Sequence, residues 1–129
     1  MIRRIALQVL GRMWQIPEVF EIAADKAFSD PSSYVRMMAA SVIGCLGASY
    51  KSLAPRAARL LLEGINRCDP ETPEVWESFY EGLFELLQIP INEWPPATTQ
   101  LSKTDIRQDV IARAKQVAGD GNEREDKGS

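Results

Sequence analysis

The sequence predicts an all-α fold in which about six helices stack as repeated pairs. Apolar residues recur at steps of three and four along most of the chain, which is the spacing of one helix face. Two ten-residue blocks, Ile2–Gly11 (IRRIALQVLG) and Val35–Gly44 (VRMMAASVIG), align without a gap at a spacing of 33 residues, and a weaker third copy begins at Val75. A period of this length is typical of stacked helical pairs. Equivalent positions such as Ala6 and Ala39 should therefore have similar environments.

The stretch DPSSYVRMMAASVIGCLG predicts the helix around which the others are arranged. Asp30 can cap its first turn, and Pro31 fits the first helical position because the N–H that it lacks is unpaired there anyway. Gly47 is a good stop signal. A second helix can lie close to one face, because the residues there are small: Ala39, Ala40 and Gly44.

The other helices follow from their own apolar stripes. We expect them at residues 2–13, from Pro17, at 53–65, at 74–88, and from Ser102 to about Ala118. Ser52 is the expected cap of the 53–65 helix, which puts Pro55 in the first turn, where the helix survives it. Ser102 and Asp105 form a capping box. The polar segment 119–129 is expected to be disordered, so residues 1–118 form the single domain.

The residue types present argue against catalysis. Histidine, the commonest general base and metal ligand, is absent. Cys45 and Cys68 are isolated and match neither a zinc pattern nor a redox pair. We therefore predict no catalytic residue, no metal and no cofactor. No apolar run is long enough to cross a bilayer, and the expected location is cytoplasmic.

Charge is unevenly distributed along the chain. Residues 1–67 carry nine Lys/Arg and five Asp/Glu, a net charge of +4, whereas residues 68–129 carry six and thirteen, a net charge of −7. Such a split can orient a partner or a second copy of the chain. The total of −3, with acids interspersed among the arginines, disfavours nucleic-acid binding.

The central stretch resembles a HEAT repeat. The matching positions are Asp30, Val35, Arg36, Ala39, Ala40, Ile43 and Gly44. The resemblance implies a short right-handed α–α superhelix, in which Asp30 and Arg36 belong to a polar ladder between stacked repeats. The third copy departs from the family pattern, because Trp76 replaces the arginine and Phe79 and Tyr80 replace the alanines. The ladder is expected to end there.

The end of the chain resembles a bacterial group of HEAT proteins, through Phe79-Tyr80-Glu81, Ile89-Pro90 and Trp94-Pro95. HEAT proteins are mostly binding scaffolds, and a minority are enzymes such as bilin lyases and alkylpurine DNA glycosylases. The resemblance therefore implies a non-catalytic protein-interaction scaffold or adaptor. Two alternatives stay open: a nucleic-acid-binding protein similar to the DNA glycosylases, and the C-terminal segment of a larger HEAT assembly.

The second helices of stacked pairs form a continuous concave face. The residues expected to point outward there are Arg4, Gln8, Arg36, Ser41, Glu77, Glu81 and Glu85. This face runs from basic to acidic and suits an extended partner of mixed charge. Trp14, Trp76 and Trp94 are candidate anchors, since tryptophan is enriched at interface hot spots. For each, a place in the core or a cap is favoured, because a small domain needs its large apolar groups inside.

The first helix has no predicted neighbour before it, so Ile2, Ile5 and Leu7 are expected at an unsealed end of the stack. Terminal repeats normally carry a polar cap. Three explanations are open: a fragment of a longer protein, a dimer that covers the end, and a first helix lying flat across the stack. We predict an apolar patch near Ile2–Leu10 that serves self-association, as a homodimer, or partner binding.

Overall fold

The computed structural model describes residues 2–67, 73–94 and 106–128, with side chains from Arg4 to Gly119 within those ranges. It contains α1 (Ile2–Leu7, continued by the π-helical segment Gln8–Met13), α2 (Val19–Ser29), α3 (Ser33–Ser49), α4 (Ala54–Asn66), α5 (Pro73–Leu86) and α6 (Gln108–Gly128). A 3₁₀ turn, Ile91–Glu93, follows α5. The described ranges contain no strand. The predicted all-α class with six helices is confirmed.

Helix α3 lies at the centre and contacts α1, α2, α4 and α5. The helical spacing predicts an apolar stripe of Val35, Met38, Ala39, Val42, Ile43 and Leu46. All of these are buried, together with Ala40, except Met38, which is partly exposed. The predicted close approach of a second helix is confirmed, and that helix is α5. A Cβ added at Gly44 would lie 2.6 Å from the carbonyl oxygen of Gly82. Only glycine allows the two backbones to lie this close.

The start and the end of α3 differ from the prediction. Ser32, not Asp30, is the N-cap, and its Oγ accepts a hydrogen bond from the Val35 N–H at 3.4 Å. Asp30 instead accepts from the Ser32 N–H at 2.9 Å, which fixes the turn before the helix. The helix also passes through Gly47 without a positive φ. Gly47 is needed for packing, because a Cβ there would meet Leu86 and Ala57.

Helix α4 starts within one residue of its expected position. Its N-cap is Leu53, which makes no side-chain capping bond, so the predicted Ser52 cap is wrong. Pro55 lies in the first turn, as expected, where backbone N–H groups have no partner within the helix. Helix α2 starts at Val19, two residues after Pro17, whose carbonyl accepts from the Phe20 N–H.

Helix α6 extends further than the sequence predicts. The expected capping box of Ser102 and Asp105 lies outside the described residues. At the other end the helix continues to Gly128, past Ala118 and through the segment expected to be disordered. Residues 123–127 include Glu, Arg and Lys, which are good helix formers. The prediction that residues 119–129 are disordered is therefore wrong as far as Gly128, because a polar segment can still form a helix.

The repeated blocks are equivalent at some positions and not at others. Ala39 is fully buried, whereas Ala6 is exposed, so the expected match of their environments is wrong. The reason is that α3 has neighbours on several sides and α1 lies at an end. The glycines do match: a Cβ on Gly11 would meet Val42, and one on Gly44 would meet Gly82. Val42 and Gly82 are themselves corresponding positions of the second and third blocks.

Candidate functional site: a charged groove across α1, α3 and α5

A groove of about 280 Å³ crosses the surface formed by α1, α3 and α5, and we call it the α1–α3–α5 groove. Four of its lining residues are charged. Arg4 and Arg12 come from the N-terminal helical segment, and Glu81 and Glu85 come from α5. Helix α3 lies between these two groups, because it contacts both α1 and α5. The groove thus has cations on one wall and anions on the other.

Arg12 and Glu85 join the two walls. The Nη1 of Arg12 donates to Glu85 Oε2 at 2.8 Å and to Ser41 Oγ at 2.7 Å. The two charged side chains are 36% and 21% exposed, so solvent only partly screens the ion pair. The hydrogen bond to Glu85 is the main cause of the raised pKa of Arg12. Three elements are therefore tied together at this end of the groove.

A π-helical turn gives Arg12 its position. In the segment Gln8–Met13 the helix widens, and the Trp14 N–H donates to the Val9 carbonyl, five residues back, at 2.9 Å. Insertions of this kind are rare in helices and frequent at functional sites. The chain then turns through Gln15 at a φ of 51°. The Gln15 carbonyl accepts from the Tyr50 hydroxyl at 2.7 Å, which holds this corner against the end of α3.

Arg4 and Glu81 lack counter-charges. Neither forms an ion pair within the described residues, although both line the groove. The Nε of Arg4 is buried and has no hydrogen-bond partner there. Glu81 is exposed, but its partial desolvation beside the groove raises the pKa of its carboxyl, and the nearby charge of Glu77 raises it further. The groove therefore presents one unpaired cation and one unpaired anion.

The surface between the charges is apolar. Met37 and Met38 contribute from α3, and Tyr34, 65% exposed, lies one turn earlier on the same helix. Trp94 is half-buried at the α5 side, where its ring centroid is 6.2 Å from that of Phe84. Its Nε1 donates to the Ile89 carbonyl at 2.8 Å. Methionine and exposed aromatic side chains are common at surfaces that bind peptides.

Of the residues predicted to contact a partner, Arg4, Ser41, Glu81, Glu85 and Trp94 line the groove. Gln8 is exposed outside its lining, and Arg36 and Glu77 are partly exposed outside it. Sequence reasoning gave no role at this surface to Arg12, Tyr34, Met37 and Met38. Arg12 and Glu85 each directly follow a repeated block, the first and the third, but the residue types at these positions gave no signal of a contact.

The predicted ladder residues have separate surroundings. Asp30 is 3% exposed and accepts from the Ser32 N–H. The Nε of Arg36 is buried without a hydrogen-bond partner among the described residues. No described contact joins Asp30 to Arg36, and the ladder stays a prediction. The candidate tryptophan anchors differ in burial. Trp76 is in the core, as expected, whereas Trp14 is 66% exposed, so its expected core or cap position is wrong.

A second groove, of about 160 Å³, lies between α1 and α2, and we call it the α1–α2 groove. Its lining is almost entirely apolar and consists of Ala6, Leu7, Leu10, Val19 and Ile22, with Lys26 at the edge. Ile5 and Ile22 are 49% and 55% exposed. The apolar patch expected near the N-terminus is present at this groove, although Leu7 itself is buried.

Metal-ligating groups, the free thiol and membrane spans were searched for among the described residues. Within them, no three or more Cys, Asp or Glu side chains come together in a way that could hold a metal ion. Burial raises the pKa of the Cys45 thiol, with Glu85 as the next cause, so this free cysteine is held in its neutral form. None of the described helices is long and apolar enough to span a membrane.

Comparisons of the chain with protein-family models, with curated proteins and with solved structures found no match.

Proposed function

We propose that this protein is a non-catalytic scaffold or adaptor that holds an extended segment of a protein partner in the α1–α3–α5 groove. The observation that carries the proposal is the pair of unpaired charges, Arg4 and Glu81, in one groove whose apolar surface comprises the partly exposed Met37 and Met38 and the exposed Tyr34. A partner that brings a counter-charge to each of these two groups forms charge-assisted hydrogen bonds with them, which is a source of binding free energy.

The scaffold in this proposal is a HEAT-like stack. The repeated contact of Gly11 with Val42 and of Gly44 with Gly82 supports it, because one register recurs from α1 to α3 and from α3 to α5. Side-by-side helices in a constant register are what a helical repeat produces. We extend the proposal to the right-handed superhelix of that family and to the polar ladder of Asp30 and Arg36.

A protein partner fits the groove better than a nucleic acid does. Glu81 and Glu85 stand opposite the arginines, and they would repel a phosphate backbone. The neutral, free thiol of Cys45 is compatible with a reducing compartment. We accordingly propose a cytoplasmic location with this function.

We also propose that the α1–α2 groove mediates self-association. Its lining is apolar and Ile22 is more than half exposed, so covering it removes apolar surface from water. An end of a helical stack that lacks a polar cap is a natural surface for a second copy or a further helix.

The test of the proposed function is peptide selection followed by measurement of affinity. A random peptide library is selected on the purified protein, and enriched peptides are titrated by fluorescence anisotropy. The blocking variant is Ser78→Tyr, which places a ring in the groove, since Ser78 lines it and its Oγ bonds only within its own helix, to the Glu74 carbonyl. Ser29→Tyr is the matched control, because Ser29 makes the same bond, to the Asp25 carbonyl, at the end of α2.

We expect Ser78→Tyr to weaken the enriched peptides by about tenfold or more, and Ser29→Tyr to leave them within about twofold. The absence of any enriched peptide, or equal affinities for both variants, would contradict the proposal. Duplex DNA is titrated in parallel at several salt concentrations. Tight binding that weakens steeply with salt would favour the nucleic-acid alternative.

A further inference from the structure

Two rows of corresponding positions cross the surface formed by α1, α3 and α5. The closed row lies in the α1–α3–α5 groove, and the open row runs from Arg4, in the groove lining, to Glu77, which lies beside it. Arg12 and Glu85 directly follow the first and third blocks at corresponding positions, and they form a 2.8 Å ion pair across α3. Arg4 and Glu77 occupy the matching pair of positions about two turns earlier in their helices. They form no ion pair with each other. The open row has the same order of charges as the closed row, a cation on α1 and an anion on α5, but its two charged groups do not contact each other.

The open row has an apolar residue at its centre. Met37 is the α3 residue that corresponds to Arg4 and Glu77, and it lines the groove. On the α5 side the negative charge is doubled, because Glu81 lies next to Glu77 closely enough for the two carboxylates to interact. From α1 to α5, this surface therefore presents a cation (Arg4), an apolar side chain (Met37) and two neighbouring anions (Glu77 and Glu81).

We infer that the groove binds an extended segment with the pattern acidic–x–apolar–x–basic. This inference rests on the proposed function and specifies its ligand. The acidic side chain would pair with Arg4, the apolar one would lie on Met37 and Met38, and the basic one would pair with Glu81. Alternate side chains of an extended chain point to the same side, so all three face the groove.

The spacing agrees with the width of three helices. Neighbouring packed helices have axes about 8–10 Å apart. Because α3 and α5 approach closely at Gly44 and Gly82, the axes of α1 and α5 lie at most about 16–20 Å apart across α3. The side chains of Arg4 and Glu81 reach into the groove and shorten this distance. Five residues of extended chain, from the acidic to the basic one, span about 13 Å.

Other occupants leave charges unsatisfied. A segment with only basic residues would be repelled by Arg4, and a phosphate backbone would be repelled by Glu81. A purely apolar helix would cover both charges without pairing either, which costs free energy. Only a segment with both charges, the acidic one at Arg4 and the basic one at Glu81, satisfies both walls.

The test uses synthetic fluorescent peptides containing Asp-Ser-Leu-Ser-Lys between flexible Gly/Ser ends. Two control peptides carry like charges, Asp-Ser-Leu-Ser-Asp and Lys-Ser-Leu-Ser-Lys. A third, Asp-Leu-Ser-Lys, puts the two charges on opposite sides of the extended chain. We expect the mixed-charge peptide with the full spacing to bind at least about tenfold more tightly than each control. Its affinity should fall as salt rises.

Charge reversal on the protein gives a second, independent readout. In the Glu81→Lys variant the α5 wall loses its unpaired anion, because the introduced ammonium lies one turn from Glu77. The preference for the basic end should therefore be lost, and the affinity for Asp-Ser-Leu-Ser-Asp should rise relative to that for Asp-Ser-Leu-Ser-Lys. Glu74→Lys is the control, because Glu74 is exposed at the start of α5 and lies outside the groove lining. It should keep the preference of the wild type. Because the expected result is a gain of binding, loss of folding cannot produce it.

The outcomes separate this inference from the proposed function. If library-selected peptides of another charge pattern bind in the groove and Asp-Ser-Leu-Ser-Lys does not, the inference is overturned and the proposed function stands. Equal binding of all four designed peptides, or an unchanged preference in Glu81→Lys, also overturns it. If neither designed nor selected peptides bind, the proposed function itself fails.

Discussion

At the scale of single residues, the contact between Gly44 and Gly82 fixes how closely α3 and α5 pack. A Cβ on Gly44 would lie 2.6 Å from the Gly82 carbonyl oxygen, and this atom belongs to a backbone that cannot rotate away. We expect Gly44→Ala to lower the free energy of unfolding by about 1–3 kcal/mol, the usual cost of overpacking. Urea denaturation followed by circular dichroism measures it.

Gly119→Ala is the matched control for this prediction. Gly119 lies within α6, and a Cβ there would have no heavy atom within 4 Å. Alanine should make this protein equally stable or slightly more stable, because alanine favours helix more than glycine does. If Gly44→Ala were as stable as Gly119→Ala, the close approach of α3 and α5 would be refuted.

Glu81 should make stability depend on pH. Its pKa is raised in the folded protein, so the folded state holds the proton more tightly than the unfolded state does. The ionised carboxylate therefore lowers stability at pH values above its raised pKa, and protonation removes this penalty as the pH falls. Glu81→Gln should be at least as stable as the wild type at pH 7, with the difference shrinking on acidification. Urea midpoints between pH 4 and 7 measure it.

Asp109 provides a comparison of opposite sign. Its hydrogen bonds with Arg107 lower the pKa of the Asp109 carboxyl, so its contribution to stability is present above the unfolded pKa and is lost as the pH falls through the folded one. Asp109→Asn should thus be no more stable than the wild type at pH 7. Parallel pH profiles of the Glu81 and Asp109 variants would contradict the assignment of the Glu81 shift to partial desolvation and Glu77.

Sequence reasoning identified several groove residues but could not tell which charges are paired. The helical phase places Arg4, Glu81 and Glu85 on one outward surface, and the structure brings them together. Whether a charge is paired depends on residues far away in the chain. The partner of Glu85 is Arg12, 73 residues earlier, and it lies in a π-helical segment that continues α1. The local sequence alone does not reveal such a segment.

At the scale of elements, α1 depends on few attachments. It contacts α3 and lies at an end of the helix array, and Arg12 ties its π-helical continuation to Ser41 and Glu85. Short helices are marginal in isolation, so these contacts hold α1 in place. We expect Arg12→Gln to speed amide hydrogen exchange across residues 2–13 more than across α4. Mass spectrometry of proteolytic fragments resolves the two regions.

Arg56→Gln is the control for this element. Arg56 pairs with Glu21 and joins α4 to α2 through an ion pair between two exposed side chains. Its loss should leave exchange in residues 2–13 unchanged, since exposed ion pairs contribute little. An equal change in both variants would mean that Arg12 does not hold α1 specifically.

Helix interiors were easier to predict than helix ends. The stripe from Val35 to Leu46 identified the buried face of α3 because burial follows the 3.6-residue period. The end signals were ambiguous: Asp30 and Ser32 can both cap a helix, and Gly47 can either stop a helix or allow close packing. Neighbouring helices decided both cases, and a local sequence contains no information about them.

At the scale of the whole molecule, the position of α1 at an end of the array explains the main failure of the repeat argument. Ala39 is covered by neighbours and Ala6 is exposed in the α1–α2 groove, although the two residues match in sequence. In a helical repeat, matching residues of internal units have the same neighbours, whereas a helix at the end of the array has a neighbour on one side only. The surface beside α1 and α2 is therefore open and apolar.

This open surface leads to a prediction about self-association. Leu10, Val19 and Ile22 line this surface. When a second copy covers it, the free energy of association becomes more favourable by about 25 cal/mol for each Å² of apolar area removed from water. Ile22→Asp puts a charge into the contact and should keep the protein monomeric. The wild type should show a mass that rises with concentration in static light scattering.

The control variant, Ile91→Asp, tests whether loss of self-association in Ile22→Asp comes from the position of Ile22 in the α1–α2 groove or only from the loss of an exposed apolar side chain. Ile91 is 79% exposed on the 3₁₀ turn after α5 and lies outside the α1–α2 groove. Ile91→Asp removes at least as much exposed apolar surface and adds the same charge, so general stickiness would fall equally in both variants. Self-association through the α1–α2 groove instead requires Ile91→Asp to behave as the wild type and Ile22→Asp to stay monomeric. A wild type that stays monomeric at every concentration, or equal loss in both variants, would leave this groove without a role in self-association.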